Sequence, residues 1–512
     1  MDADLRSIQE ARDLVSRAAE AQRSFGRADQ KTVDAIVTAA ARAASAAAES
    51  LARLAVDETG MGVYEHKIIK NKFSSDFLLE YILPLQTVGI LREDKARKLK
   101  ELAVPMGVVA GIIPTTNPTS TAIYKALISI KARNAIVMSP HPRATKCIHE
   151  SARVMEEAAT RAGAPPGLIN CMAMPTLEGT HELMKHEHTA IILSTGGKDL
   201  VRAAYSAGKP AYGVGPGNVP AIIERTARID KAVADVVDGK TFDAGVLCSS
   251  EQSIVCDAPV ERAVRDALVR ERAHMCSPEE KKALERAMIP AGGKGINPDI
   301  VGKQPQEIAR RAGFSIAADA KLLVVDLKTV GRGELLSREK LSPVLGFYVE
   351  DGWEKCCLRA IELLELGGIG HSLVIHSQDE HVIDEFFREK PAFRISVNTN
   401  SALGAVGYTT GFAPAMTLGP GAWGGSSTSD NITPLHLINI KRLGAEILRY
   451  HDPLRGRPGV DSSRSSRSSQ AAPRPASPVA ATQRTVADES LPMTEVRRIV
   501  DDFLRDFRSG RS

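Results

Sequence analysis

The sequence predicts an α/β protein in which two parallel-sheet units enclose a cleft, followed by a disordered linker and a short terminal helix. Three observations carry that prediction. From Val104 onward, short β-type runs alternate with helical segments, beginning with VVAGII, a helix, then NAIVMSP. A second such series starts near Ile229. Beyond Arg455 the composition shifts to Ser, Pro and Arg, and helical periodicity returns near residue 490. Strands alternating with helices are the pattern of parallel strands joined by crossovers, with ligands bound at the strand ends.

Each element follows from its residues. Residues 1 to about 60 are Ala-rich, amphipathic at helical spacing, and end on Gly60 and Gly62, where glycine takes up the left-handed cap. TVGILREDKARKLKELAV, near 87–104, reads as a β-hairpin. A helix from about Thr119 to Arg133 leads into NAIVMSP, and the rhythm recurs in AGAPPGLINCM, in TAIILSTGG with a helix over Lys198 to Ala207, and in VPAIIE. These runs assign 1–220 to a first, cofactor-binding unit. KTFDAGVLCSSEQSIVCD, KLLVVDL, SPVLGFYVE and HSLVIHS assign 221–425 to a second α/β unit. The strand-like LHLINIKRL closes the fold within 426–454. Residues 455–489 lack aromatics and nearly all large apolar side chains, so they cannot offset the entropy of ordering and read as the linker. In 490–512, Val496, Ile499, Val500, Phe503, Leu504 and Phe507 fall on one helical face.

Composition limits the function classes. Of 512 residues, 43% are hydrophobic and 25% charged, ordinary for a globular protein, and only 4% are aromatic, so Ala, Val, Leu and Ile must fill the interior. The linker's six Arg against three acids supply three of the four net positive charges, which leaves the body nearly neutral and gives no reason to expect nucleic-acid binding. Seven cysteines without a CxxC pair suit a reducing compartment, the N-terminus lacks the apolar core of a signal peptide, and no run reaches the ~18 apolar residues of a spanning helix. The expectation is a cytoplasmic protein without membrane segments.

Several residues could carry chemistry, each with a plainer reading beside it. Cys248, in GVLCSSEQS, follows a glycine and precedes a β-type run, an accessible junction for a nucleophile; a buried structural cysteine is the alternative. Asn117, in PTTNPTSTAIYKAL, stands between strand and helix as an oxyanion donor or a helix cap. Gly196 and Gly197, in STGGKDLVRAA, and the cluster GVGPGN at 213–218 are phosphate-approach turns or turns only. His371, in GGIGHSLVIHS, is a site residue or a structural histidine. His181, His186 and His188 fit no strong zinc spacing, so no metal is expected.

Taken in order, PTTNPTSTAIYKAL, NAIVMSPHPRA, GVGPGN, KTFDAGVLCSSEQS, EKLSPVLGFY, GGIGHSLVIHS and LGPGAWGGSS resemble the CoA-acylating branch of the aldehyde dehydrogenase superfamily. The likeness runs over about residues 5–450. It is close to the aldehyde-dehydrogenase half of bifunctional aldehyde-alcohol dehydrogenases and to the acylating dehydrogenases of bacterial microcompartments. The resemblance implies a Rossmann-type cofactor domain beside an α/β catalytic domain. It implies that Cys248 attacks a short-chain aldehyde and that Asn117 with the Cys248 backbone N–H holds the oxyanion. It further implies that Glu339 binds the nicotinamide ribose, that Gly196 and Gly197 lie near the pyrophosphate, and that Ser139 and Pro140 line the cofactor site. His371 is assigned to a CoA or substrate site. NAD is the expected cofactor, with NADP open because the acidic ribose reader of NAD-preferring relatives falls near Pro142. Coenzyme A is the expected acyl acceptor, because the general-base glutamate of hydrolytic relatives falls on Val214. The alternatives are a hydrolytic aldehyde dehydrogenase giving free acid and a non-catalytic microcompartment adaptor. A homo-oligomer, dimer or tetramer, is expected through the 87–104 hairpin. The 490–512 helix resembles an encapsulation peptide, which implies shell-protein partners inside a bacterial microcompartment.

Overall fold

Small side chains repeated on one face let the N-terminal segment pack as helices Ala3–Phe25, Gln30–Ala46 and Ala48–Thr59. Ala40, Ala41 and Ala44 are fully buried, and the third helix stops at Gly60, whose φ of 63° a side chain would strain. The computed structural model describes residues 2–289, 295–331 and 333–450. The expected linker at 455–489 and helix at 490–512 lie outside the described residues. No described helix is long and apolar enough to cross a membrane.

Strands β1 (Gly89–Asp94) and β2 (Leu99–Pro105) form the expected antiparallel hairpin. Next come β3 (Val108–Ile113), β4 (Ala135–Pro140), β5 (Ile169–Cys171), β6 (Thr189–Thr195) and β7 (Ala211–Val214). They pair in parallel in the order β5-β4-β3-β6-β7. β3 and β4 are buried along their whole length, as is helix Pro118–Lys131 between them in sequence. Strands covered on both faces read as continuous apolar runs, which is why VVAGII and NAIVMSP stood out.

The second sheet comprises β8 (Val219–Ile223), β9 (Glu251–Asp257), β10 (Ala273–Met275), β11 (Leu322–Asp326), β12 (Val344–Glu350), β13 (Gly370–His376) and β14 (Ala392–Val397). These run in parallel in the order β10-β11-β12-β9-β8-β13-β14. One expectation changes here, because VPAIIE is β8 and lies between β9 and β13 instead of extending the first sheet. The reason is chain length. Only residues 215–218 separate β7 from β8, and neighbouring parallel strands of one sheet need a connection of about a dozen residues or more. β15 (Ile438–Gly444) then returns to pair antiparallel with β2, closing the fold on the hairpin.

Candidate active site

The carboxyl ends of β3, β4, β6 and β7 open into a cavity of about 1100 Å³. Its position follows from the topology: β4 and β6, which continue the chain after β3, lie on opposite sides of it, and such a reversal leaves a crevice at the strand ends. Asn117, Ser139, Pro140, Gly196, Gly197 and Val214 line the cavity with Cys248 and Glu339, which come from the part of the chain that forms the second sheet. Residues separated by more than 200 positions in sequence therefore share one chamber.

Cys248 occupies a tight turn closed by the Ser250 N–H donating to the Leu247 carbonyl at 3.0 Å. Gly217 explains why GVGPGN must be glycine-rich beside it: a Cβ there would lie 2.2 Å from the Cys248 carbonyl oxygen. The thiol is half-buried, and its pKa is pushed up to about 12, first by burial and then by the charge of Glu339. Arg394 and the backbone N–H groups of Cys248 and Ser249 oppose that rise. The other six cysteines do not line the cavity.

Asn117 stands at the N-cap position of helix Pro118–Lys131, yet its side chain caps nothing. Its Oδ1 accepts from Lys70 Nζ at 2.6 Å, while Nδ2 donates to Thr116 Oγ1 at 3.1 Å and lies 3.5 Å from the Val246 carbonyl. Lys70 and Lys67 both pair with the buried carboxylate of Asp243. None of these three was singled out from the sequence. The signal available was weak: two lysines three apart in VYEHKIIKNKF, a spacing that puts both on one face of a helix.

Whether a dinucleotide fits can be judged from the cradle. A Cβ at Gly197 would meet nothing within 4 Å, so packing does not demand glycine there. Gly197 caps helix Lys198–Tyr205, and Gly197, Lys198, Asp199 and Leu200 all border the cavity, so the unpaired first-turn N–H groups of this helix face a space able to hold phosphate. Glu339 adds an acceptor: its Oε1 takes the Gly217 N–H at 2.8 Å, and burial pushes its pKa up to about 8 against the pull of that bond and of Lys240. Ser139 near the end of β4 has its hydroxyl 2.7 Å from Thr180 Oγ1, and Pro140 ends the strand on the cavity wall. The residues suit a dinucleotide. No carboxylate ends β4; His141, Pro142 and Arg143 border the cavity there.

His371 is buried on β13, with Nδ1 3.0 Å from Ser372 Oγ and Nε2 lacking a partner among the described residues. Burial, then Arg394, pushes it down to about 3, so it is neutral. It is not among the residues lining the cavity, although a Cβ on Gly217 would approach both its ring and the Cys248 carbonyl. Among the described residues, one trio of metal-capable groups meets, His274, Cys276 and Glu280, away from the cavity. Glu280 there already accepts from the Ser277 N–H at 2.8 Å, capping helix Pro278–Met288. His181, His186 and His188 form no such group.

Comparisons with known proteins agree with this geometry. The aldehyde dehydrogenase family model matches residues 3–284, more than half of the chain. The bifunctional aldehyde-alcohol dehydrogenase AdhE of Escherichia coli (strain K12) is 41% identical over 452 residues, covering 87% of this chain and 50% of that protein. The chain thus spans about half the length of the bifunctional curated relatives it matches. An acetylating aldehyde dehydrogenase from Geobacillus thermoglucosidasius superposes with a TM-score of 0.87 at 48% identity, covering 88% of this chain and 99% of that one. The propionaldehyde dehydrogenase of Rhodopseudomonas palustris with bound CoA and an acylated cysteine gives a TM-score of 0.77 at 26% identity, over 85% of this chain and 97% of that one. Sequence, topology and chamber agree, and the chain belongs to the aldehyde dehydrogenase family.

Proposed function

We propose that this protein is a CoA-acylating aldehyde dehydrogenase, which oxidises a short-chain aldehyde to an acyl-CoA through a thioester on Cys248. The observation that carries the reading is the lining of one cavity by a cysteine, a side-chain amide and Val214, with an apolar residue where water-using relatives are expected to hold a base. The Cys248 S–H gives up its proton to solvent water, the sulfur adds to the carbonyl carbon as the C=O π electrons move onto oxygen, and capture as a thiohemiacetal draws that unfavourable ionisation forward. Asn117 Nδ2 donates to the oxyanion, stabilising charge that exists only after addition. Bound NAD or NADP supplies the hydride acceptor. Gly196, Gly197 and the helix start at Lys198 would receive its phosphates, Ser139 and Pro140 would border it, and Glu339 would accept from its ribose. The thioester then waits for a thiol. Val214 cannot activate water, whereas CoA brings a sulfur nucleophile of its own. The acylated cysteine and CoA of the Rhodopseudomonas relative support this order of events.

The deciding experiment is a panel of short aldehydes assayed for NADH and NADPH formation with and without CoA. We expect turnover to fall at least ~10-fold without CoA, with acyl-CoA as product when it is present. Full-rate formation of free acid without thiol would establish the hydrolytic reading instead. For the segment 490–512, we propose an encapsulation peptide that recruits microcompartment shell proteins, on the strength of its apolar stripe. Fused to a fluorescent protein, residues 489–512 are expected to bring it into shells; diffuse fluorescence would reject that role.

A further inference from the structure

Asparagine's side chain is two-faced. Its oxygen and amide ends are nearly the same size, and only the amide end can stabilise an oxyanion; turned the other way, the carbonyl would repel it. Something must choose the orientation. Capping would do so, but Asn117 makes no cap bond; the Thr116 hydroxyl at 3.1 Å can donate or accept and so does not choose, and the Val246 carbonyl lies 3.5 Å away, at the edge of hydrogen-bond distance.

We propose that Lys70 is a positioning residue: anchored on Asp243, its ammonium holds Asn117 by the oxygen and so keeps the amide end on the side of Thr116 Oγ1 and the Val246 carbonyl, which border the cavity and from which an oxyanion would draw the N–H. An ammonium can only donate, so the group 2.6 Å from Lys70 Nζ has to be Oδ1. Lys70 is itself fixed, being 3% exposed and paired with Asp243, which has no exposure at all. Lys67 completes the grip by bonding Asp243 at 3.1 Å and the Thr116 carbonyl at 3.4 Å, one residue from Asn117. Burial, with Lys67 adding to it, pushes Lys70 down to about 7 against the pull of Asp243.

The same carboxylate reaches the nucleophile. Asp243 lies five residues before Cys248, with φ of 50° beside Ala244 at 54°, a left-handed pair that non-glycine residues hold only under constraint. Its Oδ1 accepts the Val63 N–H at 2.7 Å, its other oxygen takes both lysines, and its own N–H donates to His66 Nδ1 at 2.8 Å. One buried anion thus ties helix Tyr64–Lys72, the Thr116–Asn117 corner and the loop carrying Cys248. Lys70 therefore sets the aim of the amide, and Asp243 links that setting to the loop that bears the sulfur.

This inference rests on Asn117 being the oxyanion donor, so the test separates the two. Full-length wild type, Lys70→Met, Asn117→Ala and the double variant are assayed with acetaldehyde, NAD and CoA, together with Lys70→Arg. Asn117→Ala is expected to lower kcat ~100- to 1000-fold and Lys70→Met ~10- to 100-fold, with KM for NAD within ~3-fold of wild type. The double variant should fall no further than ~2-fold below Asn117→Ala, because Lys70 acts through that amide, and Lys70→Arg should recover most of the rate. A wild-type kcat in Lys70→Met, or a full additional loss in the double variant, overturns the inference while leaving Asn117 its role. Unchanged kcat in Asn117→Ala removes the oxyanion reading and this one with it. Thermal melting checks each fold. Should Lys70→Met not fold, Lys70→Gln takes its place in the cycle; a chain that folds with neither marks Lys70 as structural and overturns the proposal.

Discussion

Cys248→Ala is expected to lower CoA-dependent NADH formation ~10⁴-fold or more, because the alternative to a covalent intermediate is direct hydride loss from a hydrated aldehyde that nothing in the cavity activates. The fold should survive. The turn around Cys248 is closed by backbone groups, Ser250 N–H to Leu247 carbonyl, and needs no sulfur. Alanine removes one half-buried atom at the edge of a cavity already present, so the melting temperature should stay within a few degrees. Dinucleotide binding, followed by fluorescence quenching, should persist because Gly196, Gly197 and Glu339 lie elsewhere on the wall. Retained turnover would mean that the nucleophile is not Cys248, and none of the other six cysteines lines this cavity to replace it.

Asn117→Ala should produce the second-largest loss, ~100- to 1000-fold in kcat, with little change in NAD affinity. Two structural facts separate this outcome from the loss of a helix cap. The side chain makes no bond to the N–H groups of helix Pro118–Lys131, so its removal costs the helix nothing of that kind. It does leave Lys70 Nζ without its 2.6 Å acceptor, although the ammonium keeps Asp243. A drop in kcat and kcat/KM together, with a nearly unchanged Kd for NAD, is the signature of an interaction made only in the transition state. Equal losses in turnover and nucleotide affinity would return Asn117 to a structural role.

Most of the scaffold was legible because its signals are local. Alanine spacing marks the first three helices, and the uninterrupted apolar runs of β3 and β4 mark strands buried on both faces. The sheet to which VPAIIE belongs was misread although the information was present, in four residues too few for a parallel crossover. For Asn117, local sequence could not separate a cap from an active-site amide, because strand-to-helix corners favour the same residue for both purposes. Motif order drew Cys248 and Glu339 into a single candidate site. The Lys70–Asp243 pair escaped notice for another reason: its members stand 173 positions apart, and nothing around Asp243 announces a left-handed backbone or a buried counter-ion.

The depth at which Cys248 is held has a bearing on how the protein ages. Oxidants and alkylating agents react with the thiolate, and burial, with the charge of Glu339, disfavours that form of Cys248. A cysteine poised permanently as an anion would be spent on peroxide or on any passing electrophile, a loss that a thiol held in its protonated form is spared. On the reaction proposed above, the aldehyde that Cys248 captures would release its reactivity, so longevity and selectivity would both follow from the burial of one atom.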